Sequence, residues 1–459
     1  MVHLISIAVL VALFAIATTR PINMGLLGFT AAFIVGGWVS GLSLDDVFSY
    51  FPGDLFVIVV GLTLLFGIAK ANGTVDLVMD HSLRVVRGRP WAIVWLMFLL
   101  AAALMALGSP MAVAMLAPIA MPLARRYEID PLLMGMMISH GALSTAFSPI
   151  TVYSAGVGTV AGNLGIDVPP LTLFLVPFAL NILFAAALFA IRGRNLLRGG
   201  DVVDHVDDGC GDTGPARSGE ADKSTDVSAP ELAHGGANGT ARQGVATLEA
   251  TEEPHANPGT RSAIWEPTVT LLAIGALLLG ALRGLDVGIT SMCLSAGLLL
   301  LSPRRVDAAM ASIAWPATLL VCGVVTYMGV LDANGTINFA GEQAVEIPWP
   351  LLTAFVLFLA VGLISAVGSS IGIIFIALPL AAPLLATGDL GAVGFIAALA
   401  FCATVVDVSP FSTNGVIVLA SAEVHDRRAF QRRMLGYSGY VVLAAPLLAL
   451  LAVVVPTSL

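Results

Sequence analysis

One polar, proline-broken stretch interrupts a segment that is otherwise apolar enough to lie in a lipid bilayer. It runs from Val406 to Gly415 and contains Asp407, Ser409, Pro410, Ser412, Thr413 and Asn414. An unpaired backbone group costs several kcal/mol in hydrocarbon, so non-helical backbone and an ionisable Asp are tolerated there only where they line a protein cavity. Hydroxyl, amide and carboxylate groups in such a place predict a binding site for a small anion or cation.

This stretch has a partner earlier in the chain. Ser409-Pro410-Phe411-Ser412 matches Ser148-Pro149-Ile150-Thr151, and Asn334-Gly335-Thr336 matches Asn72-Gly73-Thr74. When the chain is aligned with itself at the offset of the Ser-Pro match, with no gap, Ser109, Pro118 and Pro122 align with Ser370, Pro379 and Pro383. A repeated pattern of this kind indicates two copies of one structural unit.

Composition indicates a membrane protein with a polar insertion. The chain has 459 residues, 58% hydrophobic and 11% charged, and apolar runs such as 54–71, 91–107 and 171–191 are long enough to span a bilayer. Between Gly199 and Ser262 there are twelve acidic and four basic residues, so most of the formal charge of −9 lies there. We predict a first repeat over 1–192, a disordered acidic cytoplasmic linker over 193–263 and a second repeat over 264–459.

Short apolar runs flank Gly108-Ser109-Pro110 in the first half and Gly368-Ser369-Ser370 in the second. Each pair of runs is predicted to form a re-entrant hairpin that enters and leaves on one face. Five full crossings then remain in each half, and an odd number gives the halves opposite orientations. The predicted fold is an all-α polytopic membrane protein, an inverted repeat of two five-helix halves, each with a re-entrant hairpin and a broken helix.

The distribution of basic residues supports this topology. With both termini outside, 20 of the 21 Lys and Arg residues fall in loops on the cytoplasmic face, and only Arg283 falls on the other. This is the bias that the positive-inside rule describes. We therefore expect a multi-pass protein of the plasma (inner) membrane, with the first hairpin opening inward and the second outward.

Inversion brings the two hairpin tips and the two broken helices together near the midplane, where helix N-termini favour anions and unwound carbonyls and hydroxyls suit a small cation. Pro149 and Pro410 are the predicted helix-breaking residues. The predicted substrate-binding residues are Ser109, Ser148, Thr151, Ser370, Ser409, Ser412, Thr413 and Asn414. The alternative is that Ser and Thr hydroxyls only bond to helix carbonyls at a proline kink, which the duplication of the motif disfavours.

Asp407 is the one acidic residue placed well inside the membrane, and its first-half match is Ala146. The predicted cation-binding residues are Gly108, Ser365, Ser369 and Asp407. The alternative for Asp407 is a carboxylate that caps the helix following Pro410. Besides a possible Na⁺, no metal or other cofactor is predicted.

An enzyme is not expected. His140 and Ser144 share one helix face, but no third orienting group accompanies them, and His140 is more simply a satisfied helix histidine. No His-Glu-x-x-His motif or nucleophile elbow is present, so an intramembrane hydrolase is the weaker hypothesis.

The N-terminal part resembles the malonate (dicarboxylate) carriers. The residues that carry the resemblance are Arg20-Pro-Ile-Asn-Met-Gly, Phe51-Pro-Gly-Asp-Leu-Phe, Gly67-Ile-Ala-Lys-Ala-Asn-Gly-Thr and Met115-Leu-Ala-Pro-Ile-Ala. Apart from the linker, the chain is similar to the divalent anion:sodium symporters of the ion transporter superfamily. The resemblance implies a homodimer with a scaffold and a mobile transport domain that moves by an elevator mechanism.

These patterns together predict a secondary active transporter of a small, malonate-like dicarboxylate, coupled to Na⁺ or H⁺. The hairpin tips of the broader family carry Ser-Asn-Thr, whereas here the matching positions are Gly108-Ser109-Pro110 and Ser369-Ser370-Ile371, so the coupling ion stays open. The other transport hypothesis is a cation/proton antiporter on the same fold, with Asp407 as proton carrier. Membrane lipid and the substrate are the expected partners, and nucleic acid is not.

Overall fold

The described parts of both halves form one helical unit in a computed structural model of the chain. The structure describes residues 1–20, 22–75, 77–78, 81, 89–198, 265–339, 349–367, 370–386, 388 and 390–458. Within these ranges every regular element is a helix, as predicted. The predicted linker lies outside the described residues except at its start, where Arg194–Arg198 form a short helix.

The first half contains ten helices in the described ranges. They are α1 (Val2–Thr19), α2 (Met24–Phe33), α3 (Leu44–Ser49), α4 (Gly53–Ala71), α5 (Pro90–Ala106), α6 (Ala112–Arg126), α7 (Pro131–Ser144), α8 (Val152–Asn163), α9 (Pro170–Arg192) and α10 (Arg194–Arg198). A π-helical turn, Ile34–Val39, continues α2. The apolar runs predicted at 54–71, 91–107 and 171–191 correspond to α4, α5 and α9.

The second half repeats this order. Its described helices are α11 (Trp265–Leu282), α12 (Val287–Leu301), α13 (Val306–Ala311), α14 (Trp315–Ala333), α15 (Pro350–Ser365), α16 (Ser370–Ala386), α17 (Ala392–Val405), α18 (Thr413–Ser421), α19 (Arg427–Ala449) and α20 (Val455–Ser458). A 3₁₀ turn, Pro303–Arg305, precedes α13 and a π-helical turn, Leu450–Val454, follows α19.

Length and hydropathy agree with a polytopic membrane protein. Four described stretches are long and apolar enough to cross a bilayer, namely Gly53–Ala71, Pro170–Arg192, Trp315–Ala333 and Arg427–Ser458. The bent pair Val287–Leu301 and Pro303–Ala311, with an angle of 111° between its parts, makes a fifth if it counts as one span. Several shorter apolar helices of 10–17 residues accompany them.

Glycines bring helices of the two halves into backbone contact at two places. A Cβ on Gly28 of α2 would lie 2.7 Å from the Gly323 carbonyl carbon of α14. The repeat partners of these residues are Ser291 and Gly61, and a Cβ on Gly61 of α4 would overlap the Ser291 side chain of α12. Small residues allow this close approach in membrane helices. The same helix crossing thus occurs twice: α2 of the first half crosses α14 of the second, and α12 of the second half crosses α4 of the first.

The duplicated Asn-Gly-Thr turns also connect the halves. Asn72 and Asn334 end α4 and α14, and Gly73 and Gly335 follow with φ of 78° and 72°, in the left-handed region that favours glycine. The Asn72 amide donates to Thr270 Oγ1 at 2.7 Å, and the Asn334 amide donates to Ser6 Oγ at 3.1 Å. Each turn is therefore hydrogen-bonded to the first helix of the opposite half.

The hairpins and broken helices pack into a separate cluster. The first hairpin, α5 and α6, packs on α7, and the second, α15 and α16, packs on α17. Contacts also cross between the halves, because α6 touches α18 and α16 touches α8. This arrangement brings the non-helical breaks at 145–151 and 406–412 close to the hairpins.

Candidate functional site

The two breaks adopt the same hydrogen-bonded turns. The Thr151 hydroxyl donates to the Ser148 carbonyl at 2.8 Å, and the Ser412 hydroxyl donates to the Ser409 carbonyl at 2.8 Å. Backbone N–H groups of Thr151 and Ser412 bond to the same two carbonyls at 2.9 and 3.0 Å. Pro149 and Pro410 lie inside these turns, where the absence of an N–H costs no helical hydrogen bond.

The side chain at the start of each break is the main difference. Ala146 offers only its carbonyl, which accepts from Thr151 Oγ1 at 2.6 Å. Asp407 instead accepts a hydrogen bond from the Asn414 backbone N–H, 3.2 Å away, at the N-terminus of α18. This contact is the capping role that the sequence left open for Asp407. A carboxylate there interacts favourably with the positive end of the helix dipole.

The first hairpin tip lies against the first break. Gly108 ends α5 with φ of 99°, and a Cβ added to it would lie 3.5 Å from the Ile150 carbonyl oxygen. The hydroxyl of Ser109 is buried and faces the Met115 sulfur at 3.7 Å. This tip therefore brings backbone to the break, while its hydroxyl is directed into the hairpin itself.

The second hairpin contacts its own broken helix through hydroxyls. Ser365 Oγ donates to the Ala403 carbonyl at 2.5 Å and lies 3.1 Å from Ser370 Oγ. Both serines are buried. Ser369, a predicted cation ligand, lies outside the described residues.

A cavity of about 420 Å³ lies between the scaffold crossings and the hairpin cluster. Its polar lining residues are Asn23, Tyr153, Ser370, Asp407, Thr413 and Asn414. Its other lining residues are Ile22, Met24, Met105, Pro110, Met111, Val113, Ala142, Leu143, Ala314, Pro316, Ala317, Leu320, Val367, Gly372 and Ile373. The volume and the small number of polar groups are typical of small-molecule sites.

Four of the predicted ligands line this cavity, namely Ser370, Asp407, Thr413 and Asn414. Among the described residues, the other predicted ligands are not part of the lining, and these are Gly108, Ser109, Ser148, Thr151, Ser365, Ser409 and Ser412. Several of them use their hydroxyls within the protein: Ser409 Oγ, for example, accepts from the Phe411 N–H at 3.3 Å. Their roles as ligands stay predictions.

Two polar lining residues, Asn23 and Tyr153, were not among the predicted ligands. Asn23 is the N-cap of α2; its side-chain oxygen accepts from Gly25 N at 2.9 Å and its amide donates to the Pro316 carbonyl at 2.9 Å, which connects the two halves. Tyr153 is the first-half partner of Asn414, so the repeat alignment that identified Asn414 contained the signal for it. Asn23 belongs to the Arg20-Pro-Ile-Asn-Met-Gly motif that carries the family resemblance, and that motif was the one signal for it besides its place as a helix cap.

The cavity carries little charge of its own. Among the described lining residues, Asp407 is the one charged side chain, and no Lys or Arg accompanies it. In the described ranges no group of three or more His, Cys, Asp or Glu side chains is placed to hold a metal ion. An anion in this cavity would be held by amides, hydroxyls and the α18 N-terminus, next to a carboxylate.

His140 lies away from the cavity in a hydrogen-bonded network. Its Nδ1 is 3.0 Å from Asn181 Oδ1 and its Nε2 is 2.6 Å from Tyr437 Oη. The Ser144 hydroxyl donates to the Gly141 carbonyl instead of to His140. No serine–histidine pair forms, in agreement with the interpretation of His140 as a satisfied histidine.

The helical fold and its apolar spans fit a polytopic membrane protein with an internal cavity that residues of both halves line. Residues 1–146 match the family model described as the dicarboxylate carrier protein MatC N-terminus. The resemblance predicted for this part of the chain is therefore confirmed, and it indicates a transporter rather than an enzyme. No curated protein matches the chain.

Proposed function

We propose that this protein is a secondary active transporter of a small, malonate-like dicarboxylate, driven by a Na⁺ or H⁺ gradient. The observation that carries the proposal is the cavity that both halves line, in which Asp407, Thr413 and Asn414 surround the N-terminus of α18. The match of residues 1–146 to a dicarboxylate carrier supports the substrate class. Helix N-termini and amides suit a carboxylate.

The negative charges of the substrate and of Asp407 are the reason to expect coupling of transport to a cation. A dicarboxylate next to Asp407 places three negative charges in a cavity whose described lining residues include no Lys or Arg. Like charges in a site of reduced dielectric repel strongly, so the complex needs co-bound cations or protons to form. Binding of substrate and of cation would therefore be mutually dependent, which is the requirement for symport.

An elevator-type movement is supported by the division of the helices. α2, α4, α12 and α14 meet through backbone contacts at glycines, which favours a rigid scaffold, whereas the hairpins and broken helices pack mainly on one another. The cavity lies between these groups. We propose that the hairpin cluster moves against the scaffold, and that a homodimer forms as the resemblance implies.

The open side of the cavity follows from the predicted topology. Asn23 and Pro316 lie at the N-terminal ends of α2 and α14, and the positive-inside distribution places both ends on the cytoplasmic face. We therefore propose that the cavity faces the cytoplasm in this conformation. The repeat partners of these residues, Asp286 and Pro52, would then line an outward-facing cavity.

A cation/proton antiporter is the second candidate, because the described lining residues include a carboxylate, Asp407, and no basic side chain. Such a protein would use Asp407 as proton carrier and would need no organic substrate. Cation flux that is unaffected by added dicarboxylate would favour it.

Counterflow in proteoliposomes tests the proposal. Radiolabelled malonate, succinate and citrate are compared with and without Na⁺ and with and without a pH gradient. Accumulation of at least one of these acids that depends on one gradient is the expected result. Absence of accumulation for all three under every gradient contradicts a dicarboxylate transporter.

A further inference from the structure

One carboxylate at the start of α7 holds two arginines from different halves of the chain. Asp130 Oδ2 lies 2.9 Å from Arg192 Nη1, at the end of α9, and 2.7 Å from Arg433 Nη2, on α19. The other oxygen, Oδ1, accepts the Leu132 N–H at 3.1 Å and caps α7. Two positive charges thus share one negative charge. Each arginine uses one nitrogen on this carboxylate, so both guanidiniums keep N–H donors for a further anion.

The corresponding corner of the second half is closed by a hydroxyl. At the offset of the Ser-Pro match, Asp130 aligns with Gly391, which precedes α17. Arg192, the last residue of α9, aligns with Val453 in the π-helical turn after α19. At this corner the Gly391 backbone N–H donates to Ser458 Oγ at 3.1 Å. Because one copy of the corner is held in this way, the fold itself does not require two arginines, and their presence points to a role beyond holding helices together.

An ion pair five residues earlier in the chain is balanced. Arg125 Nη1 lies 3.2 Å from Glu423 Oε2, one positive charge on one negative charge, and these side chains are 69% and 48% exposed. The side chains of Arg192, Arg433 and Asp130 are 37%, 45% and 23% exposed. The excess of positive charge at Asp130 is therefore also partly shielded from water, which strengthens its attraction for an anion.

Both arginines lie where candidate membrane spans reach the bilayer surface. Arg192 ends the span Pro170–Arg192, and Arg433 lies in the first two turns of the span that begins with α19. Exposed apolar side chains adjoin them in the chain, since Ile191 is 78% and Leu435 48% exposed. In the topology proposed above this surface is cytoplasmic, where phosphates of anionic lipids lie next to their acyl chains.

We propose that Arg192 and Arg433 bind the headgroup phosphate of an anionic phospholipid, whose acyl chains pack on α9 and α19. Guanidinium groups donate paired hydrogen bonds to phosphate oxygens, and basic pockets between membrane helices on the cytoplasmic side bind such headgroups. Asp130 brings the two guanidiniums within reach of one phosphate, because both contact the same carboxylate oxygen. The apolar side chains beside the arginines favour a lipid over a free anion.

Lipid binding to the purified full chain tests the proposal. Native mass spectrometry measures the affinity for phosphatidylglycerol and for phosphatidylcholine with identical acyl chains. The unchanged protein is expected to bind phosphatidylglycerol at least about fivefold more tightly than phosphatidylcholine. Arg433→Gln should weaken phosphatidylglycerol binding about threefold, and Arg192→Gln combined with Arg433→Gln about tenfold, with phosphatidylcholine binding unchanged.

A charge-matched control separates this site from the general basic surface. Arg125→Gln combined with Arg427→Gln also removes two positive charges, but Arg125 pairs with Glu423, and Arg427 donates to the Leu419 carbonyl at 3.1 Å. Phosphatidylglycerol affinity of this variant should fall by less than about threefold. Thermal unfolding in detergent gives an independent measurement, because phosphatidylglycerol should raise the melting temperature of the unchanged protein and of the control more than that of the Arg192 and Arg433 double variant.

Three results would overturn the proposal. Equal affinity of the unchanged protein for the two lipids excludes a preference for anionic lipid. Equal losses in the two double variants would assign the binding to general surface charge. Displacement of phosphatidylglycerol by millimolar inorganic phosphate would identify a free anion as the occupant. None of these results affects the proposed dicarboxylate transport, since Asp130, Arg192 and Arg433 lie outside the cavity lining.

Discussion

The two breaks, at 145–151 and 406–412, share a backbone and differ in chemistry. Thr151 and Ser412 make the same bond to the carbonyl three residues earlier, at the same 2.8 Å. Yet Ala146, Val152 and Tyr153 stand where the second break and the start of α18 have Asp407, Thr413 and Asn414. The duplicated motif therefore builds the turn, and the residues around it, which are not duplicated, supply polar side chains of the cavity lining.

Among the changes that test the difference between the two breaks, loss of the Asp407 charge is expected to reduce uptake the most. Asp407→Asn removes the one charged lining side chain, and a hydrogen bond to a charged group contributes enough that uptake should fall about 100-fold. Gradient-driven uptake in proteoliposomes measures it. Asp426→Asn is the control, since Asp426 is an exposed cap of α19 that bonds Arg428 N at 2.9 Å and Asn caps equally well. Near-normal uptake by Asp407→Asn would contradict a functional second break.

Substitutions at the two glycine crossings test whether both crossings contribute equally to stability. Gly288→Ala on α12 would place its Cβ 2.9 Å from the Ile58 backbone nitrogen, and we expect it to lower the free energy of unfolding by about 2 kcal/mol through overpacking. Gly25→Ala, at its repeat partner, should cost a similar amount because a methyl there collides with the Leu319 carbonyl.

Thermal unfolding in detergent measures the effect of both glycine changes. Gly297→Ala, also on α12 but with no atom within 4 Å of the added Cβ, is the matched control and should be neutral or stabilising. A large cost at one crossing and none at the other would show that the halves are not held in the same way.

Asn414 and Tyr153 occupy matched positions and should differ in importance. Asn414→Ala removes an amide that lines the cavity, and we expect KM for substrate to rise about tenfold. Tyr153→Phe keeps the ring and removes one hydroxyl, so a rise of about threefold or less is expected. Concentration-dependent uptake gives both values. Equal losses would mean that the two halves share binding evenly.

Exchanging the turn hydroxyls should have the smallest effect. Thr151→Ser and Ser412→Thr keep the bond to the Ser148 and Ser409 carbonyls, and changes that retain packing and hydrogen bonds usually lie within about 0.5 kcal/mol. Uptake should stay within about twofold of the unchanged protein. A tenfold loss in either variant would indicate that these hydroxyls reach the substrate during transport.

Periodicity and the repeat predict the helices and the breaks well, because span length and proline punctuation are local properties. α4, α5 and α9 begin and end within about two residues of the predicted runs. The direction of each hydroxyl could not be predicted in this way. A Ser or Thr at a break either bonds to a nearby carbonyl or faces the cavity, and the surrounding helices decide between these states.

The apolar lining of the cavity was harder still to foresee. Met105, Met111 and Leu143 are ordinary apolar residues of membrane helices, and only their tertiary position brings them into the lining. Asn23 likewise has the sequence of a helix cap and acquires its place in the lining from the contact with Pro316. Such roles depend on contacts between residues far apart in the chain.

The reciprocal crossings also affect how the protein is synthesised. Gly28 meets Gly323, and the Asn72 amide meets Thr270, roughly 200 residues later in the chain. At the usual rate of translation, about 10–40 s pass between the emergence of Asn72 and that of its partner. During this time the first half lies in the bilayer without these contacts. Its polar turns stay accessible to chaperones and proteases until the second half has been synthesised.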